Sequence, residues 1–243
     1  MNTLKFFRKG ILALLVGATA LVACSKDSDS PEVPKGNYGV LIDGVELTYQ
    51  NYQNISNVNF PAVKNGTVSY DPIKRVLTLD GVTIEVAKGE GLAAIGQPEG
   101  SSPLTIVLRN TNRLNIKWRS DGITTSGSLR ITGDKGSLEI NMEDNSDFKF
   151  RSIGGAENLT IEGGCSIVTN DEIAADTLTI NKANVHVTAN DMIPAFSANN
   201  KINLIGSKVV TPEGATVEGW QGGLFYTFVK DGKLCTEVKI EAK

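Results

Sequence analysis

The stretch Leu77-Thr78-Leu79-Asp80-Gly81-Val82-Thr83-Ile84 holds two alternating apolar runs, Leu77/Leu79 and Val82/Ile84, separated by an Asp-Gly turn signal. Alternation of period two places the apolar side chains of each run on one face of a strand and the threonines on the other. The same phrase returns as Leu104-Thr105-Ile106 with Leu114 and Ile116, and as Leu129-Arg130-Ile131 with Leu138 and Ile140. It returns again as Leu159-Thr160-Ile161 with Ile167, Leu178-Thr179-Ile180 with Val185 and Val187, and Ile202-Asn203-Leu204 with Val209. From Leu79 to Leu204 the last apolar residues of the triplets span 125 residues in five intervals, a mean of 25. A fixed period of that size is the mark of a solenoid.

A third short segment follows the second strand in most units, as in Gly91-Leu92-Ala93-Ala94-Ile95, Asp121-Gly122-Ile123, Asp171-Glu172-Ile173 and Asp191-Met192-Ile193. Three strands and three turns per unit fit one coil of a right-handed parallel β-helix, and the recurrence predicts about six coils. No proline falls between Pro103 and Pro194. Stacked strands pair on both edges, and a proline there would delete a ladder bond. The competing all-β fold is an antiparallel sandwich, which does not require one phrase at a recurring spacing.

A solenoid has two open ends that need covers. Residues 38–75 depart from the repeat and hold Tyr38, Tyr49, Tyr52 and Phe60, so they are expected to cap the N-terminal end, with a hairpin around Asp43-Gly44. The repeats occupy 76–212. Residues 213–243, with Trp220, Phe225, Tyr226, Phe228 and the alternating Val238-Lys239-Ile240, are expected to form a closing hairpin at the other end.

Before the caps lies an address. Lys5, Arg8 and Lys9 precede an apolar run from Ile11 to Ala23, shorter than a comfortable membrane span of roughly 20 residues, so residues 1–23 read as a signal peptide. Leu21-Val22-Ala23-Cys24 resembles the lipobox of bacterial lipoproteins, which implies cleavage before Cys24 and lipid on its sulfur. The alternative is an ordinary secretory signal followed by an incidental cysteine. Residues 24–37 are polar and proline-bearing, as a solvated tether should be. Lys26-Asp27 and Asp29 resemble the export signal of Bacteroidetes-type lipoproteins destined for the outer face of the outer membrane; a linker with incidental charge is the other reading. The expected partner is therefore outer-membrane lipid through the Cys24 anchor, with the chain facing the cell exterior.

Val68-Ser69-Tyr70-Asp71-Pro72 leading into Val76–Ile84 resembles the opening coil of secreted β-helix proteins of gut-type bacteria. Many of these are described as carbohydrate-binding domain-containing proteins or adhesins. The resemblance extends to Thr211-Pro212-Glu213-Gly214-Ala215 and implies a surface lipoprotein of pectate-lyase-like shape. Its motifs specify coils and turns, not ligand contacts.

Composition agrees with this class. The chain has 25 Gly, 20 Asn and 40 Ile plus Val, which favours short strands and tight turns. Removing residues 1–23 leaves 220 residues and takes away three cations, so the charge moves from −3 to about −6. No basic domain remains to neutralise phosphates, which argues against nucleic acid as a partner.

One histidine and three cysteines leave little material for a metal or triad enzyme. With no catalytic constellation evident, the chain is expected not to be an enzyme but a monomeric binding module for a glycan or a surface protein. The alternatives are a polysaccharide lyase or hydrolase on the same coil, and a purely structural envelope protein. Trp220, Phe225 and Tyr226 are candidate sugar-stacking rings, competing with a capping role. Trp118 is a further candidate, although its parity with Leu114 and Ile116 assigns it to the interior or a corner. No cofactor is called for. The oxygen-rich acidic loop at Glu143, Asp144 and Asp147 offers ligands to Ca²⁺, and it also reads simply as a solvated loop that lacks the spacing of a known calcium loop. Asp121, Asp171 and Asp191 each precede a third-strand segment and are expected to stack at one corner, as cation ligands or as turn residues bonding their own backbone. His186 reads as a surface strand residue, and Cys165 and Cys235, 70 residues apart, as two partly buried thiols rather than a disulfide.

Overall fold

A computed structural model describes residues 31–87, 93–117, 120–143, 150–190 and 192–243; Cys24, Trp118, Asp144, Asp147 and Asp191 lie outside them. Residues from Val33 onward form one compact unit. Three strands precede the repeat: β1 (Asn37–Ile42), β2 (Val45–Thr48) and β3 (Val63–Asp71). The repeat begins with β4 (Val76–Val86), β5 (Ile95–Gly96), β6 (Leu104–Arg109), β7 (Thr111–Ile116), β8 (Ile123–Thr124) and β9 (Ser128–Thr132). It continues through β10 (Ser137–Met142), β11 (Ile153–Glu162), β12 (Ser166–Thr169), β13 (Ile173–Asn181), β14 (Asn184–Thr188), β15 (Phe196–Ile205) and β16 (Ser207–Thr211). The chain ends with β17 (Thr216–Trp220), β18 (Phe225–Lys230), β19 (Lys233–Leu234) and β20 (Glu237–Ala242).

These strands stack into three faces. The first face runs in parallel from the first half of β4 through β6 and β9 to the second halves of β11, β13 and β15. The second runs from the second half of β4 through β7, β10, β12 and β14. The third runs from β5 through β8 to the first halves of β11, β13 and β15. The chain visits the faces in turn, so the fold is the expected parallel β-solenoid.

Alternation fixes which side chains fill it. Leu77, Leu79, Ile106, Leu129, Ile131, Leu159, Ile161, Leu178 and Ile180 are all buried, and one apolar cluster continues from Tyr38 to Ile240. Outward residues instead meet their equivalents one coil on: Arg113 pairs with Glu139 at 2.8 Å, and the amide of Asn141 donates to Asn115 at 3.0 Å. Such in-register partners are what a parallel stack offers its surface.

Three details depart from the sequence reading. Leu77 stacks on Ile106, 29 residues on, and not on Leu104. Leu114 and Ile116 likewise stack on Ile140 and Met142 and not on Leu138 and Ile140. Each is a slide of two residues, which keeps every side chain on its face and so leaves the apolar pattern unchanged. The third departure concerns the sixth phrase. β15 stacks on β13, but β16 does not stack on β14, because β20 lies between them, antiparallel to both. The sixth coil is never completed, and the expectation of about six coils was too high.

Both ends are covered by antiparallel strands. At the N-terminal end β3 pairs with β4 along the first two faces and β1 pairs with β5 on the third. The β1–β2 hairpin turns at Asp43 and Gly44 with φ of 47° and 76°, the left-handed pair a two-residue turn of this type requires. Where β3 crosses the corner of β4, Gly66 lies so close that a Cβ would stand 2.3 Å from the Gly81 carbonyl oxygen. The rings of Tyr52 and Tyr70 each approach Tyr38 with centroids 5.5 Å apart, and Phe60 is fully buried. At the other end the expected single hairpin is two, β17–β18 and β18–β19, after which β20 returns into the second face.

Candidate functional site

The β17–β18 hairpin is held to the third face by β18. Ala198 pairs with Tyr226, the Thr227 hydroxyl donates to the Phe196 carbonyl at 2.7 Å, and the Phe196 and Phe228 rings meet edge to face at 5.4 Å. These contacts bury Thr227, Phe228 and Val229. Toward the turn the burial stops: Leu224 is 68% exposed and Tyr226 37%, while Trp220 and Phe225 are half-buried. Trp220 and Phe225 stand directly opposite one another across the two strands. Tyr226 faces Gly219, where a Cβ would lie 4.0 Å from its ring, so the ring covers the backbone of the neighbouring strand. Glu218, which accepts the Thr216 hydroxyl at 2.7 Å, adds a carboxylate on the same exposed strand. Trp220 and Phe225 thus share one face of the hairpin with Glu218, while Tyr226, one residue on, turns to the other; a ring pair with a carboxylate beside it is the arrangement that grips a ligand with alternating C–H and O–H surfaces.

A second polar locus lies at the corner leading into the third face. Asp121 accepts the Arg151 backbone N–H at 2.8 Å, and the Arg151 guanidinium meets Glu172 at 2.9 Å. The other oxygen of Glu172 accepts the Ser197 hydroxyl, and Asp171 accepts the Glu172 N–H at 2.6 Å. Asp121 and Asp171 do not stack directly as expected, since Arg151 stands in the coil between them. An arginine inserted between carboxylates relieves their repulsion without a bound cation. Burial pushes the carboxyl of Asp121 up, and pushes that of Asp171 up to about 6 with help from the charges of Glu172 and Asp121. A recess of about 110 Å³ opens beside this corner, lined by Arg151, Asp176, Ser197 and Asn199 among others.

The remaining predicted residues are placed as follows. Glu143 is exposed, and its backbone N–H donates to Ile116 at 2.8 Å; Asp144 and Asp147, its expected partners for Ca²⁺, lie outside the described residues, as do Trp118 and Asp191. Among the described residues no three His, Cys, Asp or Glu side chains converge as a metal group would. His186 is on the outer surface, with its Nε2 2.9 Å from Glu237, as parity required. Cys165 and Cys235 are unbonded and buried.

Residues that the pattern did not single out are polar groups turned inward. Asn112 is fully buried between Val82 and Leu138, where its Oδ1 accepts the Val82 N–H and its Nδ2 donates to the carbonyls of Arg109 and Ser137, each at 3.0 Å. Ser152 and Thr169 join their hydroxyls inside the coil. The signal for Asn112 was a polar residue in phase with Leu114 and Ile116. No family model matches the chain, and no curated protein or solved structure matches it significantly.

Proposed function

We propose that the chain is a lipid-anchored cell-surface binding module that holds carbohydrate, or a glycan-bearing partner, at the β17–β18 hairpin. The observation that carries the reading is the exposure at that hairpin: its base is docked and buried, while Leu224, Tyr226, Trp220 and Phe225 remain wholly or partly open to solvent. A cap whose only task was to seal the last coil would turn such rings inward, since each aromatic buries a large apolar area. Cys24 would tether the module to the outer membrane, and the polar segment to residue 37 would let it reach a ligand beyond the lipid surface.

The test uses a chain beginning at Ser25 on a glycan array, followed by titration of the best glycan against the Trp220→Ala variant. Loss of a stacking ring is expected to weaken binding at least tenfold with unchanged thermal unfolding. A blank array, or full affinity in the variant, sinks the reading. Protease treatment of intact cells checks the address: the module is expected to be cut without lysis.

A further inference from the structure

We propose that the C-terminal end of the first face is a docking slot for one extended strand of a partner polypeptide, which binds by continuing the sheet. The antiparallel strands that cover this end of the rod lie on the second and third faces. Beyond β14 the second face adds two strands, β20 and then β16. Beyond the first half of β15, in the same coil as β14, the third face also adds two, β18 and then β17. The first face adds only the second half of β15, which stacks on β13. It therefore stops one strand short of its neighbours, a step of about 4.8 Å.

The edge left at that step has its backbone groups in hand. Among the described residues, 201–205 pair with β13 alone. The Ile205 carbonyl is turned back toward that coil, where it accepts the Lys182 N–H at 2.9 Å. Backbone groups alternate from side to side along a strand, so the N–H and C=O groups of Ile202 and Leu204 face the slot. The interior is unfinished at the same place. Ile180, which stacks beneath Leu204, is fully buried, whereas Leu204, Val209 and Val217 of the last layer are only partly so. Open backbone groups beside uncovered hydrocarbon are what a pairing strand recognises.

The same features select the occupant. An extended polypeptide carries donors and acceptors at the spacing of a strand edge, and its side chains alternate. Those that stack over Ile202 and Leu204 must be apolar to close the interior, and those between them polar to face water. A second copy cannot supply the strand end to end. Bringing two β15 edges to pairing distance would drive the β16 and β17 of each copy, which reach one strand further, into the other. Residues 25–30 of this chain do not match either, because Ser-Lys-Asp-Ser-Asp-Ser holds no apolar side chain. The slot makes no use of Trp220, Phe225 or Tyr226, so it stands or falls apart from the glycan reading.

The probe is a capped peptide with the first-face sequence of residues 176–182, Asp-Thr-Leu-Thr-Ile-Asn-Lys, titrated by NMR into the chain beginning at Ser25. Saturable shifts at 201–205 are expected, and none with Asp-Leu-Ile-Thr-Thr-Asn-Lys, which has the same composition without alternation. Strand pairing uses one edge of the peptide. Of two N-methylated forms, one at Leu and Ile and the other at both Thr and Asn, one should bind about tenfold more weakly and the other should be unaffected. In hydrogen exchange, the Ile202 and Leu204 amides should exchange quickly in the free chain and slow with peptide, while Asn203 stays slow throughout. Leu204→Pro removes only a donor that faces the slot, which an edge strand tolerates, and should lose the peptide; if it fails to fold, the exchange data decide. The proposal is overturned by absent shifts, by equal binding of the reordered peptide, or by both N-methylated forms keeping or both losing affinity. Slow exchange of Ile202 and Leu204 in the free monomer, or their protection in a dimer of the chain alone, would also overturn it, since the edge would then be occupied already.

Discussion

Asn112 stands in a column otherwise built from apolar side chains, and its three 3.0 Å hydrogen bonds, with a longer one to the Asn110 carbonyl, tie together backbone groups of β4, of its own turn and of β10. Truncating it strands one N–H and two carbonyls in the interior, each worth about 1–3 kcal/mol when left unpaired. Asn112→Ala is therefore expected to lower the unfolding free energy by about 3 kcal/mol, whereas Asn141→Ala, on the outer surface of the same face, should change it little; urea denaturation of both variants checks this. Asp171 makes a different prediction, in pH. Its carboxyl rises from 3.8 to about 6, first through burial, so the folded chain prefers the protonated form. The unfolded chain binds fewer protons between those values, so this contribution is fully present below about pH 4, is lost as pH rises to about 6, and is constant above. The loss is on the order of 3 kcal/mol at most. Asp171→Asn keeps an oxygen for the Glu172 N–H and cannot ionise. Relative to the native chain it should gain stability between pH 4 and 6 and hold that gain at pH 7, which denaturation at pH 4, 5, 6 and 7 would show; a constant difference across that range rules the effect out.

At the scale of the element, β20 is the strand whose place matters most. It is the last strand of the chain, yet it is central in its sheet, with β14 on one side and β16 on the other. Its inward Val238 and Ile240 are fully buried against the column that Val185 and Val187 end. A proline tolerated on an edge strand is destructive here, because both edges of the backbone are in use. Lys239 points outward and half-exposed, so Lys239→Ala is expected to be nearly neutral while Lys239→Pro costs about 1–3 kcal/mol or more and exposes β14 to aggregation; thermal unfolding and light scattering separate the two. This insertion was not legible in the sequence. Val238-Lys239-Ile240 has the alternation of any half-buried strand, and alternation says which face is inward, not which neighbour the strand meets. The two-residue slides at Leu77 and Leu114 escaped for the same reason, since a shift of two preserves every facing. What alternation does specify was legible: the strands, their inward residues, the third short segment at Ile95, Ile123 and Ile173, and the Asp43-Gly44 turn; the one expected at Met192-Ile193 is a turn, and Phe196 takes its place on Ile173. The hairpin aromatics could be named from composition, but their exposure depends on where β18 docks.

Across the whole molecule the interior is one continuous cluster, and both described cysteines belong to it. Cys165 sits in a middle coil with no exposed surface, and Cys235 lies in the C-terminal cap, where its backbone joins Ala195 of the rod to Phe228 of the hairpin. Burial pushes the Cys165 thiol up to about 11 and raises that of Cys235 as well, so neither supplies thiolate readily while folded. The cap is not a detachable lid. Releasing it means withdrawing β20 from between β14 and β16, which breaks two ladders and opens the second face. Mid-rod and cap should therefore open together, as one cooperative transition. A chain beginning at Ser25, treated with an aromatic disulfide reagent without reductant, is expected to show no rapidly reacting thiol when native and two when denatured. In intermediate urea, Cys165→Ser and Cys235→Ser variants, each carrying one thiol, should be labelled at matching midpoints. Labelling of Cys235 well before Cys165 would show that the cap opens alone and that β20 does not bind it to the rod.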